Sequence, residues 1–401
     1  MSISLYTDEQ EEKIFISSEA RTWTRSGLIT DEQFGIINAR TNTGVSQTNV
    51  FFRILFFLFT LACVIAVVGF YLWATGIRNE VTVAWSLMAF SIPFYVLAET
   101  LVKRNSFYRH GIEEALALSS TLLLCAGFVL LMNVLKSEPR LFILAGSLLM
   151  AASAFWVYLR FGFLYAAFIA VAALCVVPFQ LSLSPANERV ALVSILMLML
   201  WMNLRKCLPT NEDFKKEKLA TIQAFLLAGI YLAVNLRLPE LFRIQSGYPG
   251  ISDRSFAGFA PLFYWTTYVL TFLVPALGLY YGLKNRIRLI IDVSLVSAVI
   301  TLATNKDYLG LKHYEWDPAI LGVVMVIVAG FIIRWLIGGN NGMRHGYTAR
   351  NMLKPENYGI SPADLGTAVV IGEIAANQPS IQPEKPFSGG ESGGGGVSSG
   401  Y

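Results

Sequence analysis

The chain has 401 residues, of which 55% are hydrophobic and 14% charged, with a formal net charge of +4. Soluble domains carry about 25% charged residues, so the composition excludes an ordinary soluble domain and predicts an all-α, polytopic helical membrane protein. A transmembrane β-barrel is excluded too, because the sequence lacks the ~10-residue alternating strands that build one.

The first predicted element is a polar head, residues 1–50, that forms a hairpin of two short helices. Thr7 and Gln10 fit a capping box at the start of the first helix, and Thr30 and Gln33 repeat it for the second. Gly27 suits the left-handed position that ends a helix. A hairpin of this size has too small a core to be stable alone. We therefore expect it to dock on the membrane region, on a second copy of the chain or on a partner.

The head also resembles a known family. The segment Ala20-Arg-Thr-Trp-Thr-Arg-Ser-Gly-Leu-Ile-Thr-Asp-Glu-Gln-Phe-Gly-Ile36 is similar to the start of family 2157 of the domains of unknown function. That family pairs a cytoplasmic helical hairpin with many membrane spans, so the resemblance implies the same architecture here. It implies no function, because the family has no established activity. After the first predicted span this chain has Trp73-Ala-Thr-Gly-Ile-Arg78, where family members often have Asn-Trp.

The membrane region, residues 51–337, is predicted to contain about ten spans. A run of about 20 apolar residues matches the ~30 Å hydrocarbon core, and it must be helical because lipid offers no hydrogen-bond partners. Arg160 alone marks the turn between the fourth and fifth spans, so residues 141–181 fit a tight helical hairpin or a less regular segment. The predicted spans are 51–74, 81–102, 113–135, 141–159, 161–181, 188–204, 219–236, 258–283, 287–304 and 318–337.

The distribution of Lys and Arg predicts the orientation. If the N-terminus is cytoplasmic, 22 of the 31 Lys and Arg residues lie on the cytoplasmic side and 9 on the opposite side. The positive-inside rule then places both termini in the cytoplasm, as expected for a multi-pass protein of the bacterial inner membrane. The excess positive charge is thereby a topology signal and does not indicate nucleic-acid binding.

Three polar residues within the spans form a possible intramembrane polar site: Asp292, Arg288 and Glu99. Asp292 follows Arg288 by four residues and Glu99 precedes Lys103 by four, so each carboxylate can instead form a structural pair along its own helix. The alternative interpretation of Asp292 is a proton or ion site. Glu113 and Glu114 open the third span, where a helix N-terminus favours carboxylates.

Signatures of an enzyme are missing from the sequence. There is no phosphate-binding loop, no His-Glu-x-x-His and no Gly-x-Ser-x-Gly. The four cysteines and three histidines lack the spacing of a disulfide framework or a zinc site. We therefore predict no catalytic residues, no cofactor and no metal.

The third region is a predicted cytoplasmic tail, residues 338–401, which ends in a flexible, glycine-rich segment bracketed by two aromatic residues. This ending is similar to the tails of TPM-domain membrane proteins and of membrane proteins encoded near LemA proteins. The resemblance implies a docking peptide, in which glycines allow close packing and aromatics act as anchors. The predicted partner-binding residues are Phe387, Gly389, Gly390, Gly393, Gly394, Gly395, Gly396 and Tyr401.

Two functional hypotheses follow. In the first, the chain is a non-enzymatic component of a membrane protein assembly, docking through its tail to a cytoplasmic, LemA-like helical protein. In the second, it transports a small molecule, an ion or a lipid through the helical bundle. Membrane lipids are expected partners in both, and a homo-oligomer is compatible with either.

Overall fold

The computed structural model describes residues 4–25, 27–44, 46–105, 107–207, 213–238, 260–311, 314, 316–338, 343–344 and 347–348. The chain divides into two compact units, Met1–Leu321 and Gly322–Tyr401. The second unit contains most of the last helix and a short antiparallel pair, β3 (Met343–Arg344) with β4 (Tyr347–Thr348). The features described below lie in the first unit.

The all-α prediction is confirmed, since the described residues form twelve α-helices. They are α1 (Asp8–Arg25), α2 (Asp31–Arg40), α3 (Val50–Ala74), α4 (Glu80–Asn105), α5 (Ile112–Val134), α6 (Pro139–Phe161), α7 (Leu164–Val176), α8 (Pro185–Cys207), α9 (Asp213–Val234), α10 (Pro261–Asn285), α11 (Arg288–Tyr308) and α12 (Asp317–Ile337). A 3-10 turn, Val177–Gln180, continues α7. A parallel pair joins β1 (Ser46–Gln47), just before α3, to β2 (Phe107–Tyr108), between α4 and α5.

Eight of the described helices are long and apolar enough to cross a membrane, judged by length and composition: α3 to α6 and α8 to α11. The other two predicted spans, 161–181 and 318–337, correspond to shorter apolar stretches, Leu164–Gln180 and Gly322–Trp335. In the first of these Pro178 has no N–H to continue the α-helix, and the chain passes into the 3-10 turn there. The predicted count of ten is therefore reached only if these shorter stretches also span.

Local signals in the head gave the right helix boundaries. Gln33 N–H donates to Thr30 Oγ1 at 3.3 Å, and Thr30 N–H donates to Gln33 Oε1 at 3.0 Å. Thr7 and Gln10 make the same reciprocal pair at 3.1 and 3.3 Å. Gly27 takes the left-handed conformation, with φ of +73°. Both predicted capping boxes and the predicted turn are thus confirmed.

Glycines mark the closest helix contacts. A Cβ on Gly127 of α5 would lie 2.6 Å from the carbonyl oxygen of Ala84 in α4. A Cβ on Gly282 of α10 would lie 2.8 Å from Ile291 Cγ1 in α11, and one on Gly278 would collide with Ser294. Gly278 and Gly282 therefore form a close-packing face of α10, because only glycine leaves room there for the neighbouring helix.

Two buried apolar clusters divide the helices into halves. The first includes Val64, Leu116 and Phe161 and joins α3 to α6; the second includes Leu196 and Leu226 and joins α8 to α9. Helix α7 contributes to both clusters and follows α6 in a tight hairpin, with Gly162 left-handed between them. We refer to α3–α6 as the first half and to α8–α11 as the second half.

Candidate functional site

The predicted partner-binding tail, Phe387 to Tyr401, lies outside the described residues. The predicted intramembrane polar residues are all described. Arg288 Nε and Asp292 Oδ2 are 3.8 Å apart, and their side chains are 94% and 57% exposed. Asp292 lines a cavity of about 830 Å³ at the start of α11, which also includes Arg286 and Lys216.

Glu99 belongs to a different ion pair. Its carboxylate accepts from Lys103 at 2.5 Å, as the i,i+4 spacing predicts, and also from Arg160 at the end of α6. The second contact links α4 to α6 across the first half. Glu99 and Asp292 therefore take part in separate pairs, and Glu99 has a structural role between helices.

A third ion pair, with a buried carboxylate, joins the starts of α3 and α5. Arg53 donates to both carboxylate oxygens of Glu114, whose side chain is only 5% exposed. Tyr165 O–H donates to the Glu114 carbonyl at 3.2 Å. Glu113 is fully buried, with Oε1 accepting from His110 N–H at 2.7 Å and Oε2 lacking a hydrogen-bond partner among the described residues. The sequence analysis assigned both carboxylates to the start of a helix but did not identify a partner for Glu114. The signal that could have identified this partner is Arg53, a cation at the start of an apolar run.

The head is docked on the helices by two ion pairs. Asp8 Oδ2 accepts from Lys215 Nζ at 2.7 Å, and Glu11 Oε1 accepts from Lys218 Nζ at 2.5 Å. Both lysines lie at the start of α9, so α1 rests on the second half. The sequence left three docking surfaces open for the head: the membrane region, a second copy of the chain or a partner. In the described residues the head docks on helices of its own chain.

The segment before α1 also contacts the first half. Tyr6 O–H donates to the Phe107 carbonyl at 2.9 Å, its ring packs edge-on against Tyr108, and Leu5 N–H donates to the Arg160 carbonyl. Burial raises the pKa of the Tyr6 and Tyr108 phenols above their usual value, so both stay protonated at neutral pH. The head thus bridges the two halves at one end of the helices. We refer to this as the head end and to the opposite end as the far end.

A buried cluster of neutral polar groups lies in the second half. Tyr231 of α9 and Thr301 of α11 share a hydrogen bond of 2.9 Å between their hydroxyls, and Thr301 donates to the Thr271 carbonyl of α10 at 2.9 Å. Asn235 Nδ2 donates to Tyr231 at 3.0 Å and to Thr304 at 3.2 Å. All five residues are at most 2% exposed. Because these polar groups form their hydrogen bonds with one another inside the protein, we interpret the cluster as a clamp that holds three helices together.

At its far end this cluster continues to the end of α11. Leu236 N–H donates to the Tyr308 hydroxyl oxygen at 2.7 Å, and Tyr264 O–H donates to the Tyr308 carbonyl at 3.0 Å. Arg237 donates to the Tyr264 hydroxyl at 3.1 Å. Nearer the head end, Gln223 donates to Asn203 at 3.0 Å and so links α9 to α8. Asn203 and Asn235 thus both link neighbouring helices.

Beside the clamp, α8 and α10 leave an open trough over α9, which we call the lateral groove. It consists of two contiguous cavities of about 460 and 450 Å³ that share Val193, Val234 and Leu270. The walls are chiefly aliphatic. The described lining residues are Arg189, Val190, Val193, Ser194, Met197, Leu200, Leu204, Gln223, Leu227, Ile230, Ala233, Val234, Ala260, Leu262, Phe263, Thr266, Thr267, Leu270, Leu273, Val274, Leu277, Gly278, Tyr280, Tyr281 and Ile290.

Charge is confined to one end of the lateral groove. Among its described lining residues Arg189, in the first turns of α8, is the one charged side chain. Its Nη1 donates to the Ala233 carbonyl of α9 at 3.1 Å. The sequence analysis did not single out Arg189 and missed the groove, because apolar residues cover several faces of α8 and their periodicity does not reveal which face is open.

This arrangement lacks the geometry of a metal centre. No group of three or more His, Cys, Asp or Glu side chains that could hold a metal ion occurs among the described residues. Comparison with protein-family models, with curated proteins and with solved structures found no match.

Proposed function

We propose that the chain is a non-enzymatic, multi-pass protein of the bacterial inner membrane that handles an amphipathic, lipid-like molecule in the lateral groove. In this proposal it has about ten spans, formed by the eight long apolar helices together with the two shorter apolar stretches, and both termini are cytoplasmic. The excess of Lys and Arg in the segments assigned to the cytoplasm supports that orientation.

The lateral groove is the observation on which the functional proposal depends. Apolar cavities of several hundred Å³ with a few polar groups are typical of small-molecule sites. Along α8 the groove extends from Arg189 to Leu204, which is about 22 Å at 1.5 Å per residue. One leaflet contributes about half of the ~30 Å hydrocarbon core. A chain lying in the groove would therefore cross the midplane, as a molecule passing between leaflets must.

The proposal is tested by filling the groove. Val193→Trp and Leu270→Trp narrow it where its two cavities meet, whereas Ile65→Trp, at an exposed position on α3, adds the same bulk to a lipid-facing surface. Native mass spectrometry of protein released from nanodiscs counts retained lipids, and dithionite quenching of NBD-labelled lipid in proteoliposomes measures movement between leaflets. We expect both groove variants to lose lipid retention and movement and Ile65→Trp to lose neither. Unchanged retention and movement in the groove variants would refute the proposal.

A second proposed role concerns assembly. The glycine-rich tail ending in Phe387 and Tyr401 supports docking to a cytoplasmic, LemA-like helical protein. The test is affinity purification from native membranes of the full chain, of a truncation after Ser380, and of Phe387→Ala/Tyr401→Ala. Val397→Ala is the matched control, because it removes an apolar side chain and keeps both aromatics. The same partners copurifying without the tail would show that the docking proposal is wrong.

A further inference from the structure

We propose that the far end of the lateral groove is a binding site for an anionic membrane lipid, with Arg189 holding the headgroup phosphate and the aliphatic walls holding an acyl chain. This inference rests on the proposed function, because it specifies the class of lipid that the groove takes. Two separate observations support it, the lack of an ion-pair partner for Arg189 among the described residues and its position at the end of an apolar trough.

Arg189 has spare hydrogen-bonding capacity. A guanidinium has five N–H donors, and the described contact uses one of them, toward the Ala233 carbonyl. That carbonyl lies in the last turn of α9, where it has no partner within its own helix. Among the described residues no carboxylate lies within ion-pair distance of Arg189, and the adjacent Glu188 carboxylate interacts with it only at longer range. A half-buried cation that forms no close ion pair with a described residue is costly next to an apolar trough, so an anion at this position would stabilise it.

The chemistry of the groove favours phosphate over other anions that the bilayer offers in quantity. The planar fork of arginine matches the oxygens of a phosphate in a bidentate arrangement, and the interaction gains strength where water is scarce. Val190 and Val193 follow Arg189 along the groove, so an acyl chain attached to that phosphate has an apolar path. A zwitterionic headgroup would bring a cation as well, and no described carboxylate lines the groove to receive it.

The experiment compares lipid selectivity with total lipid binding. The full-length protein is placed in nanodiscs containing equal amounts of phosphatidylglycerol and phosphatidylcholine with identical chains, and native mass spectrometry gives the ratio of the two retained lipids. We expect the wild type to enrich phosphatidylglycerol. Arg189→Gln should reduce that enrichment by about tenfold, because the variant loses one charge-assisted hydrogen-bonding group. Arg189→Lys keeps the charge without the fork, so its enrichment falls between the two. Arg78→Gln, which removes an exposed cation between α3 and α4, leaves the enrichment unchanged.

The outcomes separate this inference from the proposed function. If Arg189→Gln keeps total lipid retention and loses selectivity, the headgroup site is supported. Equal selectivity in the wild type and in Arg189→Gln refutes the headgroup site and leaves the groove intact, whereas unchanged retention in Val193→Trp refutes the groove itself. If Arg189→Gln does not fold, the thermal midpoint of the wild type is measured with each lipid added in excess. Stabilisation by phosphatidylglycerol alone supports the site, and equal stabilisation by both lipids overturns it.

Discussion

The two halves of the helical region use different polar chemistry for the same task. In the first half, full charges hold helices together, and they sit at the head end: Arg53 with Glu114, and Glu99 with Arg160. In the second half, neutral groups such as Tyr231 and the threonines of α11 do so where they are buried between the helices. In the membrane setting that we propose, the difference follows from solvation. Charges are tolerated near an interface and are expensive in hydrocarbon, whereas a hydroxyl or an amide can be satisfied locally.

This difference also separates a scaffold from a candidate site. The first half combines a buried apolar cluster with ion pairs that fix the ends of its helices. The second half clamps α9, α10 and α11 together through neutral hydrogen bonds, and its open space lies beside the clamp, between α8 and α10. The predictions below test whether the first half depends on its ends and the second half on its interior.

The largest effect is expected from Gly111→Ala in the first half. Gly111 has φ of +95°, and a Cβ there would collide with the Arg53 carbonyl of α3. Backbone strain and a backbone collision each cost about 1–3 kcal/mol, so we expect a loss of about 3 kcal/mol in the free energy of unfolding. Thermal unfolding in detergent, followed by circular dichroism, measures it. Gly76→Ala is the control, because φ is +63° there with open space around the Cβ. Equal losses in both variants would mean that the collision is relieved.

The second largest effect is expected from Glu114→Gln. This substitution removes the negative charge of the buried Glu114 side chain and leaves Arg53 without its ion-pair partner. Breaking a fully buried pair costs about 3–5 kcal/mol. Arg53 keeps some solvent contact, with 32% of its side chain exposed, so we expect about 2 kcal/mol by the same thermal measurement. Asp292→Asn is the matched carboxylate-to-amide control in the second half, where an exposed pair contributes about 0–1 kcal/mol. A larger loss for Asp292→Asn would contradict the assignment of that pair as structural and exposed, and would favour an ion site there.

The features predicted correctly from sequence were those that short segments determine. The Thr30 capping box, the turn at Gly27 and the lengths of eight apolar helices depend on neighbouring residues alone. The spacing of Glu99 and Lys103 likewise determines their pairing. Pro178 in the fifth predicted span is also a local signal, because proline ends an α-helix. The span was predicted from the length of its apolar run alone, and that length does not show that the α-helix gives way to a 3-10 turn.

The features that sequence did not predict depend on contacts between distant segments. Glu114 was read correctly as a helix-start carboxylate, yet its partner lies 61 residues away. The lateral groove combines positions from α8, α9 and α10, and each contributing residue is ordinary for a membrane helix. Hydrophobicity identifies residues that avoid water, but it cannot distinguish packing against protein from packing against lipid.

A smaller effect is expected from Tyr231→Phe in the second half. The variant removes the hydroxyl that accepts from Asn235 and pairs with Thr301 and keeps the ring. Hydrogen bonds between membrane helices contribute about 0.6–2 kcal/mol, so we expect a loss of about 1 kcal/mol. Tyr280→Phe is the control, because that side chain is 65% exposed. If the two variants unfold at the same temperature, the interior of the second half does not depend on this hydroxyl.

The smallest effect is expected where the head meets the second half. Lys218 and Glu11 have side chains that are 21% and 13% exposed, intermediate between the pair at Glu114 and a surface pair. Partly exposed pairs contribute about 0.5–1 kcal/mol, so Lys218→Gln should leave global unfolding almost unchanged and speed hydrogen exchange of the α1 amides by a few fold. The head has too little core to stay docked without such contacts, and exchange detects local release that a thermal midpoint would miss.

Salt concentration and a second pair on the same helix sharpen that measurement. Lys13 and Glu9 pair within α1 itself, 2.6 Å apart and largely exposed, so Lys13→Gln removes a lysine of α1 without touching the contact to α9. We expect it to leave α1 docked. In the wild type, raising the ionic strength should weaken the Lys218 pair only partly, because a partly buried pair is screened less than an exposed one. Faster exchange in Lys13→Gln than in Lys218→Gln would show that the intrinsic stability of α1, and not its contact with α9, keeps the head in place.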